Sequence, residues 1–357
     1  SDYVHRISDS VTEFFDLQLL AKTLHMQLFS SFSQHVRRSF TNPALVSILE
    51  FPALFLGATP RNTPALYSMM NYADLVLGTW YPMGGMHQIV KAMVQIAEEN
   101  GAEIKLNSEV VKIEVLKDKA RKVHTRNETY EADIVVAGSD YHHTEQTLLD
   151  AAYRRYDEDY WQSRVMSPSA LLFFIGLNKK VPGLLHHNLF FDADFEKHAY
   201  EIYTGPRWPK APLFYACVPS KTDALVAPAN GENLFLLMPL APGLEDTEEL
   251  RQKYFDVMVA RIEKRIGAAI RENIVVNRGY CVNDFEHDYH SFKGNAYGLA
   301  NTLAQTAVLK PKMKSGKVRN LFYTGQLTVP GPGVPPSIIS GLIVAGEIKK
   351  QLSMKKI

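Results

Sequence analysis

Gly325, Gly331 and Gly333 stand close together in a proline-rich stretch, Leu321-Phe-Tyr-Thr-Gly-Gln-Leu-Thr-Val-Pro-Gly-Pro-Gly-Val-Pro-Pro-Ser-Ile-Ile-Ser-Gly-Leu-Ile-Val-Ala-Gly346. A short apolar run, Leu321 to Thr324, leads into them, and an apolar helical pattern starts near Pro335. Glycines let backbone approach a ligand closely. A helix N-terminus adds unpaired N–H groups and a partial positive charge. Together they suit the electron-rich edge of a flat cofactor. Proline in the first helical turn is a usual start signal. A second glycine pair closes Trp80-Tyr-Pro-Met-Gly-Gly85, again ahead of a helical pattern.

These two blocks resemble segments of the FAD-dependent phytoene desaturases of the bacterial type, a family of carotenoid desaturases and isomerases. The resemblance extends to Phe55-Leu-Gly-Ala-Thr-Pro60, Pro64-Ala-Leu-Tyr67, Gly78-Thr-Trp-Tyr-Pro-Met-Gly-Gly-Met86, Gly294-Asn-Ala-Tyr-Gly298 and Gln305-Thr-Ala307. It runs from about residue 50 onward and is loose between residues 180 and 285. It implies FAD as cofactor, with Gly325, Gln326, Gly331, Gly333 and Val334 at the flavin. It sets Tyr81, Gly84 and Gly85 close to the ring, and Glu109 and Val110 at the adenine end through backbone groups. Gly138 ends a strand near the dinucleotide, where ligands sit in open α/β sheets. Many relatives carry an acidic or small residue where this chain has Gln326, and Thr328 offers a hydroxyl nearby.

The family's first strand, G-x-G-x-x-G turn and helix are not found in this sequence, and Gly84-Gly85 and Gly331-Pro-Gly333 lack that spacing. The chain is therefore read as lacking the first unit of its FAD-binding domain. The implied fold is α/β: an FAD/NAD(P)-binding domain of the glutathione-reductase type, incomplete at the N-terminus, interleaved with an α+β substrate domain. Residues 1–75 are a helical part of the substrate domain and 76–150 an FAD-binding segment; 151–290 are the substrate domain and 291–357 the C-terminal FAD-binding segment.

The elements that position these residues follow from periodicity. Val11, Phe14, Phe15 and Leu19 form an imperfect helical stripe. Met86, Ile89, Val90, Met93, Ile96 and Ala97 line one face of a helix over 85–100, stopped by Gly101. Glu103 to Leu106 reads as a short strand. Val111, Ile113 and Val115 alternate with charged residues in a half-buried strand, which turns at Lys117-Asp-Lys119 into Lys122 to Arg126. Ala132 to Ala137 is a further strand. Ala170 to Leu177, Leu213 to Val218 and Leu234 to Met238 are β-like, interrupted by a helix from Asp246 to Ile266 that Gly267 ends.

Composition narrows the function. Lys and Arg total 39 against 38 acidic residues, so nothing favours nucleic acid. The two cysteines, Cys217 and Cys281, form no C-x-x-C pair. His142-His143, His186-His187 and His287-Asp-Tyr-His290 have no cysteine or carboxylate cluster at zinc spacing, so no metal is expected. Ala44 to Gly57 and Ala170 to Leu177 are interrupted or too short to span a bilayer. By resemblance the protein is a cytoplasmic, peripherally membrane-associated oxidoreductase. The complete protein would take hydride from an apolar polyene such as phytoene to FAD, while the chain as given, lacking that first unit, is expected to hold FAD weakly or not at all and to be inactive alone. The expected apolar anchor is among residues 11–50 or near Phe190-Phe191, and Phe173-Phe174 and Phe190-Phe191 are also candidates for an apolar channel. No general acid or base is named. The alternatives are a related flavin enzyme for a retinoid, amine or porphyrin, and a fragment without activity.

Overall fold

The computed structural model describes residues 30–56, 59–306 and 309–354. The stripe from Val11 to Leu19 lies outside the described residues. Among the described residues ten strands follow one another. They are β1 (Val110–Leu116), β2 (Lys119–Thr125), β3 (Thr129–Glu131), β4 (Val135–Ala137), β5 (Ser169–Leu177), β6 (His187–Phe190), β7 (Phe214–Cys217), β8 (Glu232–Leu240), β9 (Ile274–Tyr280) and β10 (Leu321–Tyr323). The chain divides into two compact units, one of residues 1–70, 107–167 and 286–357, the other of residues 71–106 and 168–285. Mixed helix and sheet bears out the α/β expectation.

In the first unit β1, β2 and β3 form an antiparallel sheet, while β4 and β10 pair in parallel. Lys117 and Asp118 turn the β1–β2 hairpin with φ of 57° and 90°, as a tight hairpin turn demands. Ile113 and Ala120 are buried, but Val111 is 42% exposed and Glu114 is as half-buried as Val115, so the strand forms without the strict alternation expected. The core gathers Tyr141, Trp161, Leu299, Leu321 and Tyr323. Tyr141 stacks on Tyr323 at 3.7 Å. Glu145 is fully enclosed yet satisfied: Arg155 and Tyr156 donate backbone N–H groups at 3.0 Å, and the Tyr323 hydroxyl donates at 3.2 Å. Such a carboxylate survives burial only with full hydrogen bonding. The Phe32–Ser39 helix starts at a reciprocal capping box, Ser31 with Gln34. Its Arg37 pairs with buried Glu50 at 3.0 Å.

In the second unit five strands run in the order β6-β7-β8-β5-β9, all antiparallel. β8 alternates between buried and half-buried along its whole length. The Glu248–Ile266 helix packs Tyr254, Phe255, Met258, Val259 and Ile262 into this core, capped by Thr247 and ended by Gly267 at φ +68°. Phe190 is in that core, stacked on Phe214 at 4.4 Å, and so is not an exposed anchor. The His87–Glu99 helix matches its expected span, but none of its residues is buried. Glu103 to Leu106 is not a strand: a strand needs a partner ladder, and the chain instead turns at Asn107 with φ +56°. No helix among the described residues is long and apolar enough to cross a membrane.

Candidate functional site

Two parallel strands set up the site in the first unit. β4 and β10 end side by side, Ala137 opposite Tyr323, and Gly138 and Gly325 follow. The C-terminal ends of parallel strands are where ligands collect in α/β sheets. A Cβ built on Gly325 would lie 3.9 Å from the Gly138 carbonyl oxygen. The structure thus brings Gly138 and Gly325 together, although 186 positions separate the paired β4 and β10 residues.

The loop after β10 is held from within. Gly325 N–H donates to Ser340 Oγ at 2.8 Å, and Thr328 Oγ1 donates to the Gly325 carbonyl at 2.8 Å. Both polar groups of Gly325 and the Thr328 hydroxyl are therefore engaged in shaping the turn. Gln326 is half-exposed, and its carbonyl rests against Gly298: a Cβ there would come within 2.8 Å of it. Gly331 is buried at φ +132° and Gly333 exposed at φ +111°. Val334 opens the Val334–Met354 helix with its side chain 51% exposed. Pro335 and Pro336 have no N–H, so the first turn presents fewer donors than a usual helix start.

Gly331 covers a polar pair that sequence reasoning missed. A Cβ on Gly331 would meet Asn301 Oδ1 at 3.3 Å and Lys310 Nζ at 3.4 Å. Lys310 is 2% exposed and Asn301 4%. Neither Nζ nor Oδ1 has a hydrogen-bond partner among the described residues. Burial pulls the Lys310 amine down from 10.5 to about 8.

At the edge of β4 a cleft of about 490 Å³ is lined by Glu109, Val110, Val136, Gly138, His143 and His290. Three of the expected contact residues, Glu109, Val110 and Gly138, thus share one cavity. The Glu109 carboxylate is paired with Arg126 at 2.7 Å and faces His290 at 3.8 Å, leaving its backbone to the cleft. His143 stacks on His290 at 4.0 Å. Burial first, then the neighbouring imidazoles of His290 and His142, lower the His143 pKa from 6.5 to about 4, against a smaller opposing pull from Glu109. The folded value lies below the unfolded one, so stability is full above about 6.5 and falls as pH drops from there to about 4. Urea midpoints measured at pH 7 and pH 4.5 should fall further in the parent chain than in His143→Asn. Equal losses in both would show that this imidazole does not carry the effect.

The second unit holds Tyr81, Gly84 and Gly85. Gly84 N–H donates to Asp223 Oδ2 at 2.6 Å, and Asp223 is fully enclosed. The Tyr81 hydroxyl also bonds Asp223. Gly84 and Gly85 take φ of +88° and +96°, so this block needs glycine for its backbone. The Gly84 N–H is used inside the unit, as is the Tyr81 hydroxyl. Tyr81 also meets the His186 ring edge-on at 5.0 Å. His186, His187 and Cys217 offer ligand atoms within 4.8 Å of one another. Cysteine does join this histidine pair, because β6 and β7 set His187 opposite Cys217. Local spacing carries no trace of that pairing. The Cys217 thiol is pushed up by burial, which does not favour the thiolate a metal would need.

The profile of the flavin containing amine oxidoreductase family matches residues 7–349. The chain is similar to a carotenoid 3,4-desaturase of Haloarcula japonica, 39% identical over 340 residues that cover 95% of this chain and 69% of that protein. It is similar to a zeta-carotene-forming phytoene desaturase of Myxococcus xanthus, 28% identical over 92% of this chain and 63% of that protein. The chain thus spans about two thirds of the length of these relatives. An oxidoreductase from Methanosarcina mazei has a similar fold, with a TM-score of 0.59 at 14% identity over 95% of this chain and 73% of that one.

Proposed function

The chain belongs to the flavin containing amine oxidoreductase family, in its branch of carotenoid desaturases, and from that premise we propose that it serves the desaturation of a carotenoid precursor. FAD is its cofactor. The observation that carries the reading is the turn after β10, where Gly325, Gly331 and Gly333 all hold positive φ beside the end of β4. The residues fit a flavin on two counts. Glycines at positive φ follow the paired parallel strands β4 and β10, and Glu109, Val110 and Gly138 line an open cleft of about 490 Å³. When bound, FAD would supply a two-electron acceptor for hydride from a C–H bond, with a proton lost from the adjacent carbon to solvent as the double bond forms.

The protein's part is positioning. Backbone around Gly331 to Val334 lies against the ring, and Gly325 with Gln326 shapes the approach. Glu109, Val110 and Gly138 receive the dinucleotide in the 490 Å³ cleft. Tyr81, Gly84 and Gly85 form a block that Asp223 holds rigid within the second unit. In this reading the first unit carries the cofactor and the five-stranded sheet of the second faces an apolar polyene. Leu75, Val76, Leu77 and Trp80 lie within six residues and are 60% to 88% exposed, which favours peripheral attachment to a membrane surface through apolar contact.

The test is incubation of the chain with FAD and phytoene in neutral lipid vesicles at high salt. New long-wavelength polyene absorbance and co-sedimentation with the vesicles are expected. Absence of any new absorbance would overturn the desaturase reading. Vesicle binding lost on adding salt would overturn the apolar anchor alone.

A further inference from the structure

His186, His187 and Cys217 meet at the edge of the five-stranded sheet, and the flavin reading gives them no task. β6 is the edge strand, and its pairing with β7 sets His187 opposite Cys217. His186 comes just before β6, and its carbonyl accepts from Val218 N–H at 2.8 Å. The two imidazole rings lie 4.3 Å apart. One ligand atom from each of the three residues lies within 4.8 Å of the other two.

The neighbouring hydroxyls decide how these donors are held. Thr222 Oγ1 donates its hydrogen to the Pro219 carbonyl at 3.2 Å. It therefore accepts from His186 Nδ1–H at 2.6 Å, and the other ring nitrogen keeps its lone pair. The Tyr215 hydroxyl bonds both the Cys217 sulfur and His187 Nδ1. A thiolate can only accept, so with Cys217 ionised Tyr215 donates to the sulfur and accepts from His187 Nδ1–H. That again leaves the far nitrogen bare. Neutral imidazoles with one nitrogen anchored and the other bare are the arrangement that orients histidines on a metal.

A set of two nitrogens and one sulfur does not suit hard cations, which take oxygen. It suits zinc, which binds imidazole and thiolate and takes water in an open fourth position. Around zinc such donors stand about 3.3 to 3.6 Å apart. His186 is half-buried and His187 exposed, so small ring rotations supply the closure. We propose that His186, His187 and Cys217 bind one zinc ion, which clasps the edge strand β6 to β7. Burial keeps the proton on the Cys217 thiol, and that proton leaves to solvent as the Zn–S bond forms. The clasp also steadies the Gly84 block. The Tyr81 ring meets His186 edge-on at 5.0 Å, and its hydroxyl bonds the Asp223 that holds Gly84 N–H.

Cobalt(II) replaces zinc and reports its ligands by absorbance, so it tests the site on the full chain without FAD. Chelator-stripped protein titrated with Co²⁺ should develop a thiolate-to-cobalt charge-transfer band that saturates at one equivalent and vanishes when Zn²⁺ is added. Cys217→Ser should abolish the band. His187→Ala, at an exposed position, should weaken Co²⁺ roughly tenfold or more. His290→Asn, outside the cluster, should bind Co²⁺ as the parent does, and circular dichroism checks the fold of each variant. Zn²⁺ should raise the urea midpoint of the parent and leave that of Cys217→Ser in place. No charge-transfer band in the parent, or a band of equal strength in Cys217→Ser, would overturn the zinc site. A parent midpoint that Zn²⁺ does not move would overturn the clasp.

Discussion

Lys310→Met is expected to stabilise the cofactor-free chain at pH 7 by about 3 kcal/mol. Most single substitutions destabilise, so the sign itself is the test. Lys310 is 2% exposed and its amine has no partner among the described residues. Burial lowers its pKa from 10.5 to about 8. The folded value of this base lies below the unfolded one. The penalty is therefore complete below about 8, shrinks as pH rises from there, and is gone above 10.5. Methionine keeps the apolar stem and removes the charge. Urea unfolding of parent and variant at pH 7 and at pH 10.5 should give a large gap at the first and a small one at the second. A gap that does not narrow with pH would mean that packing, not the buried charge, sets it.

The regular elements were legible because each has a period. The Glu248–Ile266 helix shows its apolar stripe and its Gly267 stop in the sequence, and β1 shows Val111, Ile113 and Val115 at alternate positions. The loop from Gly325 to Val334 was legible because only glycine takes positive φ cheaply. β9 was not legible: most of its residues are exposed, so its faces do not alternate. Glu103 to Leu106 looked like a strand on residue type alone, and type cannot supply a neighbouring strand. Lys310 sits in Leu309-Lys-Pro-Lys-Met313, which reads as a solvated basic run. Its burial is a tertiary fact, as is the meeting of Cys217 with His187. Sequence shows where the backbone must be special; it does not show which ordinary-looking side chains the fold encloses.

The largest expected loss is at Gly298. Gly298→Ala should cost about 3 kcal/mol or more and distort the loop that carries Gly325 and Gln326. Gly298 has φ +85°, which alone costs an alanine roughly 1 kcal/mol. The rest comes from contact. Its Cβ would lie 2.8 Å from the Gln326 carbonyl oxygen and 3.0 Å from that carbonyl carbon. Backbone cannot rotate away as a flexible side chain can. Nor can Gly298 retreat, because its N–H donates to Asn295 Oδ1 at 2.6 Å and its carbonyl accepts from Ser167 N–H at 2.8 Å. Gly267→Ala provides the control: φ is +68° there, and nothing lies within 4 Å of a Cβ. That change should cost only the conformational part, about 1 kcal/mol. Urea unfolding of both variants separates the two contributions. If Gly298→Ala costs no more than Gly267→Ala, the loop yields readily, and Gly298 does not hold Gln326 in place. If it costs more, lumiflavin affinity should fall with it, because the loop reaches the ring side through the same backbone that Gly298 supports.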